Sequence, residues 1–206
     1  SVPQDDPLTG FKGDTLSEAR RRAPLPKIFF TQTSAEYWNR AASLLHTNVQ
    51  GTADSPLDPH VRIYYIAGAQ HVVSGKPDPG IYKYPRNILD HRPVLRALLV
   101  TLDRWASSGE EPPASAYPTI AAGELVDLKT YGKMFPRIPG VQLPEVMYQP
   151  LRLDPGPRYW TEGIADHVPP KPGEPYTALV PAVDEDGNAV AGIRLPEIEA
   201  PLATRL

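Results

Sequence analysis

Two short runs constrain this chain more than anything else in it. Lys27-Ile28-Phe29-Phe30-Thr31-Gln32 has a continuous apolar centre, and Val61-Arg62-Ile63-Tyr64-Tyr65-Ile66-Ala67 is rich in aromatic and β-branched residues and ends at Gly68. Continuous rather than alternating apolar character suits strands covered on both faces, as in a parallel sheet. Between them, Ser34 is placed to cap a helix beginning near Ala35. Tyr37, Trp38, Ala41, Ala42, Leu44 and Leu45 then recur at helical spacing. Strand, helix and strand within about 40 residues predict a right-handed parallel crossover. Two strands and one or two helices cannot cover their own faces or edges. The pattern therefore demands further strands from elsewhere, either an upstream segment of the same polypeptide or a companion chain.

Outside that unit the sequence divides by its prolines. Sixteen of the 26 lie from Pro112 onward, and proline neither continues a helix nor donates to a ladder. Residues 1–26 are expected to form an N-terminal arm with a short helix from Thr15 to Arg22. Residues 27–109 form the strand-and-helix core, and 110–206 a Pro-rich extension. A loop rich in Gly and Pro spans Ser74 to Pro85. Asp90 is expected to cap a helix with Pro93 in its first turn, and Gly109 and Pro112 end it. Its apolar stripe is Val94, Leu95, Leu98, Leu99, Leu102 and Trp105. In the extension, Thr177 to Val183 and Asn188 to Leu195 flank Asp184-Glu185-Asp186-Gly187 as a β-hairpin. Pro169-Pro170-Lys171-Pro172 fits a polyproline stretch in a surface linker.

Composition removes several function classes. A formal charge of −3 leaves no basic footprint for nucleic acid, and no apolar run approaches the roughly 20 residues of a membrane span. Without cysteine there is no thiolate nucleophile or zinc-thiolate site. No cofactor or metal is called for. Asp184-x-Asp186 begins like a calcium loop, but Gly187 comes too early and no acidic residue closes a 12-residue loop. Asp58-x-His60 lacks a third ligand. Cytoplasmic and exported locations both stay open.

Ligands of open α/β sheets bind beyond the carboxyl ends of the strands. Glu36 lies four residues past Gln32 and His71 three past Gly68, so both stand at that end. Parallel neighbours are about 4.8 Å apart, close enough for the carboxylate to reach the imidazole. The carboxylate would fix the ring's tautomer and leave its other nitrogen as a general base. Tyr37 is a candidate wall of the substrate pocket, whereas Trp38 is assigned to the core. Asp54, Asp58 and His60 precede the second strand, at the wrong end of the sheet. Asp90 and His91 are read as a cap and a solvated residue, and His46 as a charge complementing a helix C-terminus. His167 carries no assignment.

The segments Pro26 to Trp38, Arg40 to Leu44, Val61 to Tyr64 and Ala67-Gly68-Ala69-Gln70-His71 resemble a bacterial family of alpha/beta hydrolase domain-containing proteins. So do Arg92 to Leu99, Val180 to Asp184 and Gly192 to Glu197. The likeness is most specific at Ser34-x-Glu36-Tyr37-Trp38 and Gly68-x-Gln70-His71. It implies the C-terminal part of an α/β-hydrolase parallel sheet, followed by the Pro-rich extension with its hairpin. It also implies a serine hydrolase whose natural substrate it leaves open, with Glu36 and His71 matching the acid and base of a Ser…Asp/Glu…His triad. The substrate expected here is a small acyl or ester compound. No serine here sits in a G-x-S-x-G elbow, so the nucleophile is expected from the upstream segment or companion chain. The competing expectation is a non-catalytic module that binds a partner protein through its Pro-rich half.

Overall fold

A computed structural model of the chain describes residues 2–6, 10–73, 76, 79–85 and 87–200. Of the expected Gly/Pro loop, Ser74, Gly75, Pro77 and Asp78 lie outside the described residues. At the N-terminus, β1 (Gln4–Asp5) pairs antiparallel with β2 (Lys12–Gly13), and α1 (Ser17–Arg22) follows. This arm is tied down. Gln4 Nε2 donates to Thr47 O and Ser55 Oγ, and the nearly buried Asp6 carboxylate binds Arg152 at 2.7 Å and the Tyr176 hydroxyl at 2.9 Å.

The two constraining runs form a parallel pair, as their sequence demands. β3 (Ile28–Thr33) and β4 (Val61–Ile66) run in register from Ile28↔Val61 to Thr33↔Ile66. The helix between them is shorter than its periodicity predicts. α2 (Ser34–Asn39) stops at Arg40; Ala41 then turns left-handed at φ 52°, and Ala42–Leu45 form a 3-10 turn. The break lets Tyr37 and Ala42 enter the main core together, which a continuous helix would not require.

α3 (Arg92–Ser108) has Pro93 in its first turn and a left-handed Gly109 after its last. Asp90 does not cap it: His91 holds the N-cap position, and Asp90 instead binds Arg92 through its backbone N–H and guanidinium. Its apolar stripe is only partly used. Trp105 is buried beneath Phe29, with Lys27 Nζ 4.3 Å and the Arg62 guanidinium 4.7 Å from its ring. Leu98 is buried too, but Leu95, Leu99 and Val100 are exposed.

The Pro-rich half supplies short elements: β5 (Leu125–Val126), α4 (Leu128–Met134), β6 (Leu151–Asp154), α5 (Tyr159–Glu162), β7 (Lys171–Pro175), β8 (Val180–Pro181) and α6 (Pro196–Glu199). The Pro169–Pro172 stretch ends in β7, an exposed strand paired antiparallel with β6. At the expected hairpin the chain reverses through one bridge, Val183↔Ala189, while the β8 ladder goes to β5. Proline limits these ladders to two strands.

Two extended pieces of this half reach the far edge of β4. Ala116 accepts from Tyr65 N and donates to Ile63 O, at 2.8 and 2.9 Å. Ile193 donates to Tyr65 O and accepts from Ala67 N, at 2.7 and 3.0 Å. Gly192 permits that approach, because a Cβ there would stand 2.4 Å from the Tyr65 carbonyl oxygen. The main core gathers Tyr65, Ile66, Ala67, Tyr37, Leu125, Leu179 and Ile198 around this strand.

Candidate active site

The site begins where β3 becomes α2. Thr33, still extended at φ −120° and ψ 177°, is the N-cap, one residue before the serine expected there. Thr33-Ser34-Ala35-Glu36 spells a capping box, in which a threonine and the glutamate three residues on satisfy each other's neighbourhood. Glu36 Oε2 accepts from Thr33 N at 2.7 Å and from Thr33 Oγ1 at 2.5 Å. That fixes the carboxylate and leaves Oε1 for another donor.

The other donor comes from the end of β4. Gly68 turns the chain at φ 68°, a conformation that strains any L side chain, and its carbonyl is held by Asn87 Nδ2 at 2.7 Å. Ala69 is buried as an anchor, and His71 follows. His71 Nδ1 stands 2.5 Å from Glu36 Oε1. The carboxyl group is largely covered, whereas the imidazole is 70% exposed. Burial pushes the Glu36 carboxyl up, but hydrogen bonds from the Thr33 hydroxyl, His71 and the Thr33 amide outweigh it. The net result lies below the usual carboxylate range. An ionised carboxylate on Nδ1 selects the tautomer with its proton there and leaves Nε2 to accept one.

A cavity of about 520 Å³ is lined by chain neighbours of the pair, though not by Glu36 or His71 themselves. Ser34 and Trp38, which flank Glu36 on α2, line it, as do Gly68 and Gln70, which precede His71. Of the two aromatic neighbours of Glu36, Tyr37 lies in the core rather than on a pocket wall. Trp38 packs against the cluster of Tyr131, Val180 and Val183 as expected, and lines the cavity as well. It is half-buried and meets Tyr131 edge-on at 4.9 Å. Tyr37 is fully buried, its hydroxyl 2.9 Å from His46 Nε2 and its ring edge-on to Tyr65. His46 is therefore not a charged helix terminator. Burial lowers its pKa to about 4, so the ring is neutral at pH 7.

The remaining candidates have local partners. Asp58 binds Arg20 and His60, Asp54 caps the backbone at Ile120 and Ala121, and His167 Nδ1 lies 3.2 Å from Asp154 O. His91, expected in solvent, is buried. Among the described residues no group of three or more His, Asp or Glu is arranged to hold a metal, and no helix is long and apolar enough to cross a membrane. Thr33, Ser34 and Asn87 were not singled out as site residues by their sequence. The T-x-x-E spacing was the available signal for Thr33; nothing local marks Asn87.

A parallel pair delivering a carboxylate after one strand and a histidine after the next is the arrangement of a hydrolase domain of the α/β class. A family model described as an alpha/beta hydrolase domain matches residues 3–206, and the chain belongs to that family. No curated protein and no solved structure matches it.

Proposed function

We propose that this chain supplies the acid and the histidine of a serine hydrolase acting on carboxylic esters or a related acyl bond. The nucleophilic serine comes from an upstream segment or a companion chain. The observation that carries this reading is the 2.5 Å contact between His71 Nδ1 and Glu36 Oε1 at equivalent ends of adjacent parallel strands. Among the described residues Glu36 is the ring's one hydrogen-bond partner, and no serine hydroxyl bonds Nε2. β3 pairs with β4 alone among the described residues, leaving an edge for a further strand.

In the completed site the serine Oγ attacks the acyl carbon while His71 Nε2 takes its proton. The tetrahedral intermediate collapses, the alkoxide leaves with that proton, and an acyl-enzyme remains. Water then repeats the sequence, again giving its proton to His71. Glu36 holds the ring and stabilises its positive charge in both halves.

The test is turnover of p-nitrophenyl esters. This chain alone should be inactive, and its assembly with the upstream segment or companion chain active. His71→Ala should lower turnover in that assembly on the order of 10³-fold or more, and Glu36→Gln by less, because an amide still reaches the ring but carries no charge. Full activity of the His71→Ala assembly would sink the mechanism.

A further inference from the structure

We infer that the cavity lined by Ser34, Trp38, Tyr65 and Tyr131 is a binding site for an aromatic group carrying an oxygen acceptor. The inference rests on the hydrolase reading only in taking that group as a non-reacting part of the substrate.

A count of protons supplies the polar half of the argument. Tyr65 Oη and Ser34 Oγ stand 2.8 Å apart, and the Gly68 amide donates to Ser34 Oγ at 3.0 Å. The two hydroxyls bring two protons to one shared contact. If Tyr65 donates, the lone pairs of Ser34 are filled and the Ser34 proton is left over. If Ser34 donates, the Tyr65 proton is left over. Either way one O–H has no acceptor among the described residues. Tyr65 is fully buried, so its hydroxyl is satisfied by donating to Ser34, and the spare proton falls to the half-buried Ser34 at the cavity wall. An acceptor oxygen in the cavity takes that proton without displacing any other hydrogen bond of the pair.

The apolar half is aromatic. Trp38 and Tyr131 meet edge-on at 4.9 Å, and Phe135 lies 5.6 Å from Tyr131; all three line the same space. Rings in such arrangements add a further ring through edge-to-face or offset contacts, worth more than an aliphatic group of equal area. About 520 Å³ lies within the range of small-molecule sites.

Three ketone-related probes separate the two halves without any scissile bond. Acetophenone has ring and acceptor, ethylbenzene lacks the acceptor, and cyclohexyl methyl ketone lacks the ring. Titration of the chain, followed by the Trp38 indole NMR signal assigned with Trp38→Leu, should show acetophenone binding about tenfold more tightly than either control. The Ser34→Ala/Tyr65→Phe double variant should bind acetophenone and ethylbenzene alike, since either hydroxyl alone still offers a donor. Should that variant not fold, the probe series on the unaltered chain decides. Equal affinities, no binding at about 10 mM, or shifts centred away from Trp38 and Tyr131 would overturn the assignment. Turnover is a separate reading: binding with no esterase activity in the completed assembly defeats the hydrolase and leaves the cavity, while activity without binding does the reverse.

Discussion

β3 and β4 are paired residue for residue, yet they live in different surroundings. β4 is buried along almost its whole length and hydrogen-bonded on both edges, to β3 on one side and to Ala116 and Ile193 on the other. β3 has the same apolar character but is mostly half-buried, with Thr31 exposed, and pairs on one edge among the described residues. α3 repeats the contrast within one helix, with Trp105 buried and Leu99 68% exposed. An apolar strand that gains little burial where it lies is suited to a neighbour that it meets elsewhere.

The sharpest test of this contrast compares two register partners. Ile63→Ala in β4 should cost about 4 kcal/mol of stability in this chain, and Phe30→Ala in β3 only about 2, despite the larger side chain lost. Denaturant unfolding measures both. In the proposed assembly with an upstream segment or companion chain, the Phe30 cost should rise towards that of Ile63. Equal costs in the isolated chain would break the contrast.

The tie between the strands should be acid-sensitive. Tyr37, on the helix after β3, joins His46 by hydrogen bond and Tyr65 of β4 by ring contact. The His46 pKa falls from 6.5 to about 4 on folding, so the unfolded chain binds the extra proton between these values. Stability from this group is complete above pH 6.5 and is lost as pH falls towards 4, about 3 kcal/mol in all. Melts across that range should show the slope, and His46→Asn should flatten it.

Breaking the far edge of β4 should cost slightly less. Gly192→Ala places a methyl group against the Tyr65 carbonyl at a positive φ, which should destabilise by about 2–3 kcal/mol. Gly109→Ala, with open space around its Cβ, should cost about 1 kcal/mol through its backbone alone. Similar losses at the two sites would show that Ile193 is not held against β4.

How much of this was legible in the sequence follows from the range of each interaction. β3, β4 and α3 announce themselves through runs of apolar residues, and Glu36 and His71 through their offsets from the two strand ends. The burial of Tyr37 was not legible, because it depends on the left-handed break at Ala41 and on a buried histidine partner. Nor were the Ala116 and Ile193 bridges, which join segments about 50 and 130 residues from β4 and leave no local period. Proline content pointed away from such pairing, although a single bridge needs only one free N–H.

The smallest expected effect lies in the capping box. Its carboxylate titrates below the usual range, so its contribution is present above about pH 4.5 and fades as pH falls further. Glu36→Gln should therefore destabilise the chain by about 1 kcal/mol at pH 6, and the difference from the unaltered chain should shrink by pH 3.

The central proposal is that Glu36 and His71 serve a serine lying outside these 206 residues. Fluorophosphonate labelling of an active assembly, followed by peptide mapping, tests it directly. The expected label sits on a serine outside residues 1–206 and is strongly reduced by His71→Ala. A label on Ser34 or any other serine of this chain, or one undiminished by His71→Ala, would contradict it.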